Sequence, residues 1–152
     1  MVEAEDLMQA ESAVGGNVAK TGPSTPGDAF FQIAGLMASS PTHRHLFLAD
    51  LEWLVLPPLM LQQFRIFRVK QRPVAFVSWA FLSEEAEARL QQSTPRLQPA
   101  DWNSGDRAWI VDVVMPFGNI PEALKELKSR EFQGREVKMV QMNEGRIQTV
   151  SV

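Results

Sequence analysis

His43 and His45 are the chain's two histidines, and both stand in the segment ASSPTHRH, residues 38–45. Imidazole is the side chain best suited to take up and return a proton near neutral pH. A histidine in a loop is nonetheless more often merely solvated, and spacing alone favours that bland role for His43. His43 and His45 form an HxH pair, but the chain has no cysteine and no third ligand at a recognisable spacing, so no metal site is expected. The matching acid is Asp112, set in the apolar run WIVDVV. A carboxylate there costs free energy unless it is paired or hydrogen-bonded. It is either a structural acid satisfied by an arginine such as Arg107, or an acid that orients and charges a histidine. Residue physics alone favours the structural role. Ser40 also has two readings, as a helix terminator or as a group that positions His43.

Other chemistry-bearing types carry weaker signals. Gly105 and Gly118 read as turn glycines, although amides near Gly118, at the start of a helix, could bind a phosphate or polarise a carbonyl. Trp79, Trp102 and Trp109 could line an acyl pocket, but core is the better reading for at least two of them. Arg65, Arg68, Lys70 and Arg72 form one basic cluster, and Lys125, Lys128, Arg130, Arg135 and Lys138 form another. Such runs are usually solvated faces, and either could receive an acidic partner protein.

The elements that must position these residues belong to one domain. At 152 residues and 45% hydrophobic composition the chain can bury a single core and carry loose ends. A formal charge of −3 argues against general nucleic-acid binding, which needs a clustered basic excess. The absence of cysteine excludes disulfides and thiol catalysis. The acidic start lacks the features of a secretory signal, and no run approaches the ~20 apolar residues of a membrane span. A cytoplasmic protein is expected.

Residues 1–27, acidic and then rich in Gly, Pro, Ser and Thr, read as a disordered extension, with the domain over 28–152. Asp28 is expected to cap a short apolar helix that Ser39, Ser40 and Pro41 stop, which delivers its end to His43. A second short helix is expected from His45 to Trp53, ended by Pro57 and Pro58. LMLQQFRIFRV and VAFVSWAFL read as a hairpin centred near Gln71. Ser83 caps the next helix, RAWIVDVVM is the third strand, and Asn119 with Pro121 and Glu122 opens the last helix. REVKMVQM and GRIQTVSV close the chain as a second hairpin. The order predicts an α+β fold with a mainly antiparallel sheet flanked by helices.

Three blocks, ASSPTHR (38–44), RPVAFVSWAFLS (72–83) and DWNSGDRAWIVDVVMPFG (101–118), resemble in order and separation the RTX toxin-activating lysine acyltransferases of the hemolysin-activating type. The resemblance runs from about Phe30 to about Val150, and its long SGDRxWxxDxxxPFG block is specific. It implies a GNAT-like fold and transfer of a fatty acyl group from acyl carrier protein to the ε-amine of internal lysines in an RTX-type protoxin. The family's essential histidine falls on His43 and its essential aspartate on Asp112; Ser40 lies in the same motif. A lysine amine, with a reference pKa of about 10.4, needs a base or a desolvating site before it can attack a thioester. His43 would take that proton and Asp112 would hold the imidazole. Direct attack and an acyl-histidine intermediate both stay open, as do the backbone N–H groups that meet the oxyanion.

No permanently bound cofactor is implied; acyl-carrier-protein thioester is the donor. The glycine-rich pyrophosphate loop of acyl-CoA users has no counterpart here, and a basic patch such as Arg65 to Arg72 suits an acidic carrier better. Two other readings remain: a GNAT-like enzyme acylating a small amine from acyl-CoA, and a non-catalytic binding module of the same fold. A homodimer is compatible with any of them.

Overall fold

A computed structural model of the chain describes residues 25–92, 96–118, 121–143 and 146–152. Helix α1 (Pro26–Ser39) is capped by Thr25, whose hydroxyl accepts from the Asp28 N–H at 3.1 Å. Pro26 takes the first helical turn, where its missing N–H has no partner to lose. Thr25, not Asp28, is therefore the cap. Asp28 lies in the first turn instead, where its charge suits the helix dipole. Of residues 1–27, read above as a disordered extension, Thr25, Pro26 and Gly27 cap and open α1, and 1–24 lie outside the described residues. Ala29, Ile33, Leu36 and Met37 recur at helical spacing and are buried.

The next two helices, α2 (Asp50–Leu54) and α3 (Leu56–Leu61), depart from expectation. The helix foreseen from His45 starts only at Asp50, whose carboxylate accepts from the Phe47 N–H at 2.9 Å. Pro57 and Pro58 open α3 rather than ending its predecessor, because a proline in the first turn gives up no intrahelical bond. Leu59, Met60 and Leu61 are thus helical, and the strand foreseen to include them starts at Phe64. Gln62, in the left-handed region at φ 57°, ends α3.

Strands β1 (Phe64–Val69) and β2 (Arg72–Leu82) form the expected hairpin, with Lys70 and Gln71 at φ 48° and 68°, the conformation of a two-residue turn. Helix α4 (Glu84–Leu90) is capped by Ser83, whose hydroxyl accepts from the Ala86 N–H at 3.2 Å. Then come β3 (Arg107–Val114), α5 (Pro121–Leu127) running into a wider π-type turn at Lys128–Phe132, β4 (Val137–Asn143) and β5 (Arg146–Ser151). Asn119, foreseen as the cap of α5, lies outside the described residues.

The strands lie side by side in sequence order in one sheet. β1–β2, β2–β3 and β4–β5 are antiparallel, but β3–β4 is parallel. The sheet is thus mixed rather than mainly antiparallel. α5 carries the chain back before β4 begins, the crossover a parallel neighbour requires. On one face Phe76 and Val114 pack against α1, Leu54, Val55 and Leu59. On the other, Val77, Trp79 and Ile110 meet Leu127, Phe132 and Val137, with the Trp79 and Phe132 rings edge to face at 5.8 Å. A third cluster gathers Trp102 and Trp109 with α4. Trp79, Trp102 and Trp109 all belong to the core, where at least two of them were expected.

One irregularity in the β2–β3 ladder matters for function. Ser78 pairs with Asp112, yet the next residue, Trp79, pairs with Ile110, so Val111 is an extra residue on β3. Such a bulge changes which face later side chains meet. Ile110 packs on the α5 side, whereas Val114, four residues on, packs against α1. Asp112 therefore projects toward the end of α1.

The loop before β3 is tied to β2. The Ser104 and Gly105 N–H groups both donate to the Phe81 carbonyl, and a Cβ on Gly105 would sit 2.4 Å from the Leu82 carbonyl oxygen. Gly105→Ala is expected to lower stability by about 1–3 kcal/mol through this backbone clash, measurable by urea unfolding. Buried Glu87 of α4 holds the same end of the sheet. It accepts from Trp109 Nε1 at 3.0 Å and Lys138 Nζ at 3.3 Å, and from Arg107. Burial opposes its charge, but these donors outweigh burial and hold its carboxyl below the usual glutamate value. Its stabilisation is complete above the unfolded pKa, near 4.5, and is lost as pH falls through the lowered folded value. Glu87→Gln should unfold more easily at neutral pH and show a shallower loss of stability between neutral and acid pH, read by thermal melts.

Candidate active site

The end of α1 and the residues after it form a small local device. Ser40 precedes Pro41, and a residue in that position is pushed out of the helical region, here to φ −87° and ψ 127°. The chain then turns back on itself, with the His43 and Arg44 N–H groups both donating to the Ser40 carbonyl. This turn sets the His43 ring over the Ser40 side chain. The Ser40 Oγ lies 2.7 Å from His43 Nδ1, and Thr42 Oγ1 lies 3.0 Å from the same nitrogen. Ser40 is buried and Thr42 is exposed.

On the other side of the ring, His43 Nε2 lies 2.7 Å from Asp112 Oδ1, a contact across 69 residues of sequence. The two side chains are 14% and 12% exposed, so water screens the pair only weakly. A carboxylate can only accept, which puts the ring proton on Nε2. Nδ1 is then the nitrogen with a lone pair; the nearer Ser40 hydroxyl donates to it, and the Thr42 hydroxyl stands beside both. When Nδ1 is protonated, either hydroxyl can turn and accept instead.

Burial of the ring disfavours its charged form, but the hydrogen bond to Asp112 and that residue's charge outweigh burial, so the His43 pKa is raised. The geometry joins His43, Asp112 and Ser40. It also resolves the alternatives left open for Asp112. Arg107 is bonded to Glu87 and does not serve Asp112, whose partner is the histidine. His45 is exposed.

Most side chains of the two basic clusters have partners within the molecule. Arg65 lies 3.4 Å from Glu126 and over the Phe67 ring, Arg68 bonds Gln32, and Arg72 lies over Phe117. In the second cluster Arg130 pairs with Glu126, Arg135 lies over Phe81, and Lys138 serves Glu87. Sequence reading missed two positioning residues. Buried Gln63 donates to the carbonyls of Trp79 and Trp102, tying the loop before β3 to β2. Val111, the bulge residue, looks like any other apolar strand residue, and nothing in its type marks it.

A partly buried carboxylate that holds a histidine, itself backed by a serine hydroxyl, is an arrangement of side chains that can exchange a proton at one ring nitrogen. The sequence comparisons place the chain. A model of the RTX toxin acyltransferase family matches residues 25–152, and the chain belongs to that family. It is 39% identical over 99 residues to the RTX-II toxin-activating lysine-acyltransferase of Actinobacillus pleuropneumoniae, covering 65% of this chain and 62% of that protein. It is 37% identical over 108 residues to the lysine-acyltransferase RtxC of Vibrio cholerae, covering 67% and 69%. To the protein-lysine myristoyltransferase HlyC of Escherichia coli it is 35% identical over 98 residues, covering 64% and 58%. The matched segment thus spans roughly three fifths of these curated relatives.

The raised pKa gives a direct check. His43 should titrate above 6.5 in NMR spectra of the folded protein. Asp112→Asn removes the carboxylate's charge and weakens its hydrogen bond while leaving burial, so the value should fall. The sign fixes the effect on stability. The pair stabilises the fold fully below the unfolded value of about 6.5, and this part is lost as pH rises through the raised folded value.

Proposed function

We propose that this chain is a protein-lysine acyltransferase that moves a fatty acyl group from acyl carrier protein to the ε-amine of internal lysines in an RTX-type protoxin. The observation that carries the reading is the 2.7 Å contact between His43 and Asp112, with Nδ1 left as the basic nitrogen. The acceptor amine comes in past the exposed Thr42 hydroxyl and gives its proton to Nδ1, and the buried Ser40 hydroxyl turns from donor to acceptor as it does so and keeps hold of the ring. Asp112 stabilises the imidazolium that forms. The freed amine attacks the thioester carbonyl, the tetrahedral intermediate collapses, and the carrier's thiolate leaves and takes up a proton.

A GNAT-like arrangement of the donor is supported by the β3–β4 ladder. It consists of three pairs, from Ala108–Val137 to Ile110–Met139, while β3 runs on to Val114. From Val111 onward the side of β3 that faces β4 offers its backbone to an extended pantetheine arm, directly beside Asp112. Phe47 and Leu48, 79% and 87% exposed and a few residues after His43, offer apolar surface to the acyl chain. Docking of the acidic carrier falls to the β1–β2 hairpin, where Lys70 is exposed at the turn. No helix among the described residues is long and apolar enough to cross a membrane. The proposed donor, acyl carrier protein, is the partner in this reading, and it puts the reaction in the cytoplasm.

Incubation with acylated carrier protein or acyl-CoA, followed by mass spectrometry of a protoxin substrate, tests the assignment. Lysine acylation from the carrier donor is expected, rising with pH through the raised His43 pKa because only the neutral ring can accept a proton. His43→Ala and Asp112→Asn should each reduce the rate about 10²–10⁴-fold with folding retained. Transfer from acyl-CoA alone, or full activity in both variants, would overturn the proposal.

A further inference from the structure

Ser78 lies in the middle of β2, in the run Val74–Leu82, where it is the sole residue with a hydroxyl, and it is fully buried. A buried hydroxyl is unfavourable unless it is hydrogen-bonded, and a buried carboxylate oxygen is more so. Among the described residues, Ser78 Oγ has no hydrogen-bond partner, and neither has Asp112 Oδ2. These two atoms are neighbours by topology. Ser78 and Asp112 are directly paired across the β2–β3 ladder, so their side chains share a face with Cβ atoms roughly 5 Å apart. The bulge falls at that pair, and it takes backbone groups of Val111 out of the regular ladder. A buried water needs two to four polar partners, and this spot has a hydroxyl, a carboxylate oxygen and a bulged backbone.

We propose that Ser78 is a positioning residue for the His43–Asp112 pair: its hydroxyl and Asp112 Oδ2 share one buried water molecule that donates to the carboxylate. The inference rests on His43 and Asp112 as the proton-handling pair of the proposed function, but not on the identity of donor or acceptor. Oδ1 already accepts from His43 Nε2. A donor on Oδ2 fixes the carboxylate's rotation and draws part of its negative charge away from the imidazole. Asp112 is the charged side chain that acts on the ring, and Arg44 and His45 on the same loop are exposed. The hydroxyl therefore sets how strongly Asp112 raises the basicity of His43.

With only two histidines in the chain, the His43 ring can be followed directly by NMR titration of the intact protein. In Ser78→Ala the water loses a partner, the carboxylate's charge concentrates on Oδ1, and the His43 pKa should rise by about half a unit. An unchanged or lowered His43 value in that variant would overturn the proposal. A crystal structure of the wild-type chain provides a second measurement that does not depend on the variant. Density for a water within hydrogen-bonding distance of both Ser78 Oγ and Asp112 Oδ2 supports the bridge, and a direct contact between the two atoms or an apolar group between them refutes it. Neither measurement uses acyl transfer, so a shifted titration in a protein that transfers no acyl group would sink the proposed reaction and leave this inference standing.

Discussion

The hydrogen bond between His43 Nε2 and Asp112 Oδ1 constrains most of what surrounds it. Its partners stand 69 residues apart in the sequence, and a charge-assisted bond of this kind depends steeply on distance and direction. Three separate features have to agree before it can form. Pro41 must turn the chain after α1 so that the ring folds back over Ser40. The apolar stripe of α1 must dock on the sheet so that the turn arrives at the right strand. The bulge at Val111 must bring Asp112 to the face where α1 lies. A half-buried carboxylate with a poorly placed partner would be a liability, which makes the bond as much a demand on the fold as a contribution to it.

The opposite end of β3 uses charge differently. Glu87 gathers Trp109, Arg107 and Lys138, three donors from three positions on two strands, and its charge is stabilised where it stands. Such an acid is saturated and has nothing left for a substrate. Asp112 has one oxygen on the histidine and one with no protein partner among the described residues, and the ring it holds keeps a basic nitrogen. The same strand thus carries a structural cation partner at its start, in Arg107, and a histidine-paired acid near its end. Satisfaction of hydrogen-bonding capacity separates the two roles more clearly than burial does.

Local rules read correctly where the determining interaction was itself local. The β1–β2 hairpin, the Ser83 cap and the strand Arg107–Val114 follow from alternation, capping chemistry and turn propensity. They failed where two local rules competed. Thr25 and Asp28 are both good caps, and the choice went to the residue before Pro26 because a proline suits the first helical turn. Pro57 and Pro58 can end one helix or begin another, and burial of Leu54, Val55 and Leu59 against the sheet decided for the second. The parallel placement of β4 was not legible, because no local pattern distinguishes a strand that returns beside its predecessor from one that pairs after a hairpin.

The sequence by itself determined the chemical inventory: two histidines, no cysteine, an acid in an apolar strand, a serine and proline that stop a helix just before a histidine, and the ordered blocks that mark the family. Those blocks named His43 and Asp112 together, whereas residue physics alone left Asp112 a structural acid awaiting an arginine. Tertiary structure decided that the arginine belongs to Glu87, that the histidine's Nε2 faces the carboxylate, and that Nδ1 is the basic nitrogen. The reason is geometric. A side chain's type records which bonds it can make, but which one it makes depends on atoms within about 3 Å, and a bulge and a turn far apart in the chain bring those atoms together.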